Sequence, residues 1–242
     1  MASKLTNIII SKVLKSTYYS IIADCTPDVS HKEQLSLTIR IVNISEYPIK
    51  INKHFHGFFN VKDTTGLGLT EIIIGALKDF GLNKSFCRGQ GYDNGANMKG
   101  KKVGLQKRIL DLNPLAFYLP CGSHSLNLND LLKLCKQLQE KLTVNTKSEI
   151  DGALLCDELI SVQFFIKAKL SNVENEINTK EMTPLFELNF VKKHFLQELY
   201  SNTWIVLRIL LTIPVTVASG ERSFSKLKLF KTFKKYHVTR ST

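Results

Sequence analysis

Two aspartates stand where a metal site at the edge of a sheet would need them. Asp24 closes the β-branched and aromatic run TYYSIIAD (17–24), and Asp93 closes KSFCRGQGYD, just ahead of a helical pattern. In an open sheet the ends of two such strands can lie side by side. Two carboxylates there bind one or two Mg2+ or Mn2+ ions, which activate an attacking oxygen and stabilise the leaving one in phosphodiester chemistry. A third carboxylate from a later helix normally completes such a site. The competing reading is that Asp24 opens the turn CTPDVS and Asp93 caps a helix, both common uses of Asp.

Other motifs are weaker. The run Gly89-Gln-Gly-Tyr-Asp-Asn-Gly lacks the Gly-Lys-Ser/Thr of a P-loop and the spacing of a dinucleotide fingerprint, which argues against nucleotide binding. Cys121-x-x-His124 has a zinc-like spacing, but no second ligand pair is close in sequence. Cys135 and His194 are the remaining candidate ligands, and no structural zinc is expected. Lys99, Lys101, Lys102, Lys107 and Arg108 cluster after Asp93, where they would either neutralise phosphates or form a solvated helix face.

Placing these residues requires elements. Residues 17–24 read as a first strand. Gln34–Val42 alternates Leu35, Leu37, Ile39 and Ile41 against Ser36, Thr38 and Arg40, the pattern of a half-buried second strand. IKINKHFHGFFNV (49–61) alternates again, giving a three-stranded meander. The period then changes: Leu69, Ile72, Ile73, Ala76, Leu77 and Phe80 mark a helix over 65–80 that Gly81 ends. A fourth strand leads to a second helix, capped by Asn94 or Asn97, which must stop before Pro114. AFYLPC (116–121) reads as a fifth strand and residues 123–142 as a further helix. The order β-β-β-α-β-α-β-α predicts an α/β, ribonuclease H-like mixed sheet flanked by helices. Residues 138–184 are polar with short apolar stripes, as in weakly packed helices or a linker, whereas 185–200 space Phe186, Phe190, Phe195, Leu196 and Tyr200 along a helical face.

Composition sets the outer bounds. The chain has 242 residues, 43% hydrophobic and 22% charged, as globular proteins do. Its formal charge of +12 favours an anionic partner such as nucleic acid. After Glu221 there is no acidic residue, while seven cations follow, from Arg222 to Arg240. Five widely spaced cysteines fit a reducing compartment better than a disulfide framework. The longest apolar stretch, Trp204–Ala218, is about five residues short of a membrane span and contains Arg208 and Pro214. The N-terminal apolar run is too short for a signal peptide. These features predict a nuclear or cytosolic protein that is neither secreted nor membrane-bound.

Four ordered blocks carry a resemblance: YYSIIADCTPDVSHKEQLSLTIRIV, GQGYDNGANMKGKKVGLQKRI, NPLAFYLPCGSHSLNL and LLTIPVTVASGERSFSKLKLFK. They strongly resemble hAT-superfamily transposases, in particular domesticated relatives of the zinc finger MYM-type protein 1-like kind. The resemblance implies a ribonuclease H-like core with a catalytic, metal-holding triad of Asp24, Asp93 and Glu221, Glu221 lying within ASGERSFS. It implies that Cys121 and His124 match the family's Cys-x-x-His element, which lies near transposon DNA and is not a zinc finger. Ser219, Glu221, Arg222, Phe224 and Ser225 keep the family motif, and Arg222 joins the DNA-contacting residues.

The domains implied are a core over 17–137, a remnant of helical insertion or linker over 138–184, and a basic tail over 234–242. Between the last two, residues 185–233 would begin the hAT C-terminal dimerisation region and supply the last core helix. The interval between His124 and Glu221 is short for the family's helical insertion, and only about sixteen residues precede the first strand, where relatives carry a DNA-recognition domain. Cys25 stands where relatives usually have an acidic residue. The expected function is therefore a transposase-derived DNA-binding protein without full cut-and-paste transposition, with metal-dependent cleavage as its residual activity. It would associate with itself or with other transposase-like chains. The alternative is a non-enzymatic dimerisation or nucleic-acid-binding module, or a decaying fragment.

Overall fold

A computed structural model describes residues 2–27, 33–92, 96–100, 103–118, 128–171 and 183–214. The chain divides into two units, residues 1–45, 51–121 and 212–242 in the first and residues 46–50 and 122–211 in the second.

In the first unit, helix α1 (Ala2–Ser16) precedes β1 (Tyr19–Pro27), β2 (Glu33–Asn43) and β3 (Lys50–Asn60). Then come α2 (Gly66–Asp79), a 3-10 turn over Lys84–Phe86, β4 (Cys87–Tyr92), α3 (Ala96–Lys99), α4 (Leu105–Leu112) and β5 (Phe117–Tyr118). The strands form one mixed sheet in the order β3-β2-β1-β4-β5, with β1 antiparallel to β2 and parallel to β4, and β4 parallel to β5. One sheet face carries Tyr19, Ile21, Ala23, Leu35, Leu37, Ile39 and Ile41 into a core shared with Val13 of α1, with Leu69, Ile73 and Leu77 of α2 and with Leu105 and Ile109 of α4. The expected mixed sheet flanked by helices is thus present.

Helix α2 starts and stops for visible reasons. The Thr65 hydroxyl accepts from the Gly68 N–H at 3.3 Å, and the Asp63 carboxylate accepts from the Thr65 N–H and hydroxyl at 2.9 and 2.8 Å. Those bonds hold the Asp63 carboxyl below its usual pKa. At the other end Gly81 adopts φ +66°, with its N–H on the Lys78 carbonyl and the Leu82 N–H on the Leu77 carbonyl. This is the paired-bond C-terminal cap that glycine favours.

Several expectations need correcting. The N-terminal residues, read without an element, form α1, whose Val13 is buried in the core. Strand β2 is not half-buried: Ser36 and Thr38 are as enclosed as the leucines opposite them, because β2 lies inside the sheet and both its faces are covered. The single helix expected before Pro114 is two pieces, α3 and α4. Gly104 opens the second piece, against the Gly100 backbone, where a Cβ would come within 2.4 Å of the Gly100 nitrogen. The fifth strand is confined, among the described residues, to Phe117–Tyr118.

The second unit contains α5 (Leu128–Lys141), a short hairpin of β6 (Thr143–Val144) and β7 (Lys147–Ser148), α6 (Gly152–Ser171), α7 (Pro184–Lys193) and α8 (Ser201–Thr212). The stretch expected to hold weakly packed helices or a linker, 138–184, contains a 20-residue helix. Its Val162 and Ile166 pack with Phe190, Val191 and Tyr200 in a second core. The Glu158 carboxylate accepts the Asn202 and Thr203 N–H groups at 3.3 and 2.7 Å, so α6 caps the otherwise unpaired N-terminus of α8. The helical face expected over 185–200 is broken: α7 ends at Lys193, and Phe195 turns outward at φ +56°.

Candidate active site

Asp24 does not close its strand as expected: β1 runs on through Cys25 and Thr26 to Pro27, still paired with β2, and Asp24 sits within it, 5% exposed. The register sets Asp24 opposite Ser36, Ile22 opposite Thr38 and Ser20 opposite Arg40 across β1 and β2. Paired residues share a face of the sheet. The face turned away from the aliphatic core is therefore polar, and it is nonetheless buried. The hydroxyls of Ser20, Ser36 and Thr38 are enclosed there without a hydrogen-bond partner. Burial also lowers the Arg40 pKa.

Strand β4 adds bare backbone to this face, since Gly89 pairs with Ser20 and Gly91 with Ile22. A Cβ on Gly89 would stand 2.4 Å from the Ser20 Oγ and 2.9 Å from the Pro214 Cδ, so only glycine fits. The last described residue of β4, Tyr92, pairs with Ala23, the neighbour of Asp24. Asp93, next in the chain, lies outside the described residues, as do Lys101, Lys102, Cys121, His124, Glu221 and Arg222.

Cys25 belongs to the opposite face, packed against the aliphatic core, and its thiol donates to Glu33 Oε2 at 3.5 Å. Cys135 and His194, the other candidate zinc ligands, are engaged elsewhere. Burial, followed by the charge and hydrogen bond of Cys156, pushes the Cys135 thiol up to about 11. The His194 ring lies 4.4 Å from that of Phe190.

The basic cluster is only partly described. Lys99 sits in α3, though its side chain is outside the description. On α4, Lys107 forms an ion pair with Asp111 one turn on, and Arg108 Nε donates to the Val103 carbonyl at 3.1 Å. These two are thus less free than a solvated face would leave them.

Sequence reasoning missed two features. The first is the hydroxyl lining beside Asp24, whose signal was the Ser36-x-Thr38-x-Arg40 alternation taken for a solvent face. The second is Arg88, a buried cation stacked 4.7 Å from the centre of the Tyr18 ring and donating to the Ser85 carbonyl at 2.5 Å. Around it, burial raises the pKa of Tyr19 and pushes the Cys87 thiol up to about 11, which suits a structural rather than a reactive role.

Among the described residues no three His, Cys, Asp or Glu side chains come together in a group able to hold a metal ion. The part of the site that is described does suit a hard cation. A buried carboxylate beside unpaired hydroxyls is an all-oxygen donor set, which Mg2+ and Mn2+ prefer, and further carboxylates would be needed to complete it.

Residues 1–104 match the family described as "ZMYM1/FAM200, RNase-like domain", and residues 173–240 match the hAT family C-terminal dimerisation region. The chain thus carries an RNase-like region and an hAT-type dimerisation region. The first match contains Asp24, Asp93 and strands β1 to β4, and the second contains α7, α8 and Glu221. The chain is also 28% identical over 117 residues to the human "52 kDa repressor of the inhibitor of the protein kinase", and 28% identical over 116 residues to the mouse protein of that name. Each match spans 48% of this chain and 15% of the relative's length. No described helix of this chain is long and apolar enough to cross a membrane.

Proposed function

We propose that this transposase-derived chain acts in the nucleus as a DNA-binding protein. It retains weak divalent-metal-dependent phosphodiester cleavage at Asp24, Asp93 and Glu221 and does not carry out complete cut-and-paste transposition. The observation that carries the reading is the setting of Asp24, a buried carboxylate within β1 just past its pairing with β4, with the unpaired Ser36 hydroxyl on the residue opposite. The parallel register of β1 and β4 supports it further, because the chain passes from Tyr92, the partner of Ala23, directly to Asp93. Asp24 anchors the cation, the Ser36 hydroxyl offers a neighbouring oxygen, and the enclosed face keeps bulk water from the carboxylate. A bound Mg2+ or Mn2+ would supply charge neutralisation of the scissile phosphate. Lys99, Lys101, Lys102, Arg108, Cys121, His124 and Arg222 contact DNA in this reading, whereas Lys107 is paired with Asp111.

The test is a calorimetric titration of Mn2+ into the wild type and Asp93→Asn, with nicking of supercoiled DNA assayed for both. Binding and nicking by the wild type alone is the expected result. If neither protein binds the ion or nicks, the cleavage reading falls. The chain is then a non-enzymatic DNA-binding and dimerisation module, a reading that the match over 173–240 favours.

A further inference from the structure

Helices α5 and α6 meet closely beside the short hairpin that joins them. The Gly152 N–H donates to Gln139 Oε1 at 2.7 Å. A Cβ on Gly152 would stand 2.7 Å from the Cys135 carbonyl oxygen, so the two backbones approach too closely for a side chain there. Cys156 lies one turn beyond Gly152 and so on the same face of α6, the face turned to α5. The Cys135 thiol donates a hydrogen bond to the Cys156 sulfur. Both side chains are buried, at 3% and 7% exposure, and both thiols are reduced in this structure.

A single buried thiol is inert, but two in direct contact give whichever sulfur is oxidised first an immediate partner. A disulfide needs sulfurs about 2.05 Å apart, a short step from hydrogen-bonding contact. We propose that Cys135 and Cys156 are an oxidation site, which a hydroperoxide converts into a disulfide that locks α5 to α6. A hydroperoxide suits the site because it is small and uncharged, whereas a bulky disulfide oxidant has little access to sulfurs buried this deeply.

The chemistry balances with one peroxide. The Cys156 sulfur attacks the O–O bond of hydrogen peroxide, forming an S–O bond and releasing water, which leaves a sulfenic acid. The Cys135 sulfur then attacks the Cys156 sulfur, the S–O bond breaks, and hydroxide leaves with the Cys135 proton as a second water. Two thiols lose two electrons, and the peroxide gains them. A dithiol reverses the change, as expected of a regulatory disulfide in a reducing compartment. The lock reaches beyond the helix pair, because the hairpin supports the start of α8. The Asp151 N–H donates to Asn202 Oδ1 at 2.8 Å, and Glu158 accepts from Asn202 and Thr203.

The test treats the full-length wild type with hydrogen peroxide, blocks the remaining thiols, and maps linked peptides by mass spectrometry, with thermal melting before and after. The expected result is a Cys135–Cys156 link, and a melting temperature about 5 °C or more higher, both reversed by dithiothreitol. Cys135→Ser should show neither change on peroxide treatment, and the wild-type peptide map decides the matter even if that variant folds poorly. Thiols that stay unreacted, a Cys156 carried on to sulfinic acid, or links to Cys25, Cys87 or Cys121 instead would each overturn the site. A Cys135–Cys156 link without a rise in melting temperature would overturn the lock.

Discussion

Ser36 holds a buried hydroxyl opposite Asp24 that makes no hydrogen bond, and a polar group enclosed in this way weakens the fold unless something occupies the site. Ser36→Ala in metal-free protein is accordingly expected to raise stability by about 1 kcal/mol, the desolvation cost of an unmade bond, seen as a higher urea midpoint. The same substitution should weaken Mn2+ binding, because it removes an oxygen beside the carboxylate. A lower midpoint in the metal-free variant would mean that the hydroxyl has a partner in solution. A buried apolar residue such as Leu37 offers no such pair of opposite effects, since removing its atoms costs stability with or without the ion. Only groups whose burial is uncompensated separate a site from a core in this manner.

Helix α2 contains its own control at the level of the element. Gly75 faces open space, whereas a Cβ on Gly68 would stand 2.5 Å from the Asp63 carbonyl oxygen, which is backbone and cannot swing aside. Gly75→Ala should stabilise the protein by about 1 kcal/mol through helix propensity. Gly68→Ala should destabilise it by about 1–3 kcal/mol through overpacking, with thermal or urea melts of the two variants moving in opposite directions. The ends of this helix were legible because Thr65 and Gly81 act locally, through bonds that a sequence window contains. Strand β2 was legible in position but not in burial, since alternation looks the same whether the second face meets water or another layer. The break between α3 and α4 was hidden because apolar spacing runs on across Gly100 and Gly104. Helix α6 was missed as a packed helix because its apolar residues lie on every side, from buried Val162 to exposed Phe164, and leave no single stripe. For the candidate site, the strand that holds Asp24 could be read from the chain, but not its continuation to Pro27 nor the hydroxyls beside Asp24, which depend on pairing with β2 that no local pattern specifies.

At the scale of the whole molecule the dominant quantity is the formal charge of +12. Such an excess favours DNA through release of counterions from phosphates, so the logarithm of the affinity should fall linearly with the logarithm of salt concentration, with little dependence on base sequence. Not every cation contributes equally to that slope. Lys107 already faces Asp111, and neutralising it removes a charge that is largely compensated. Lys107→Gln is therefore expected to leave the salt slope almost unchanged, whereas Asp111→Asn frees Lys107 and should tighten binding to a non-specific duplex. The measurement is fluorescence anisotropy with one labelled duplex of arbitrary sequence, titrated across a range of salt concentrations for the wild type and both variants. An affinity independent of salt would remove phosphate contacts from the account altogether. A full loss of one charge from the slope in Lys107→Gln would show instead that the pair with Asp111 opens when DNA arrives, giving Lys107 to the phosphates.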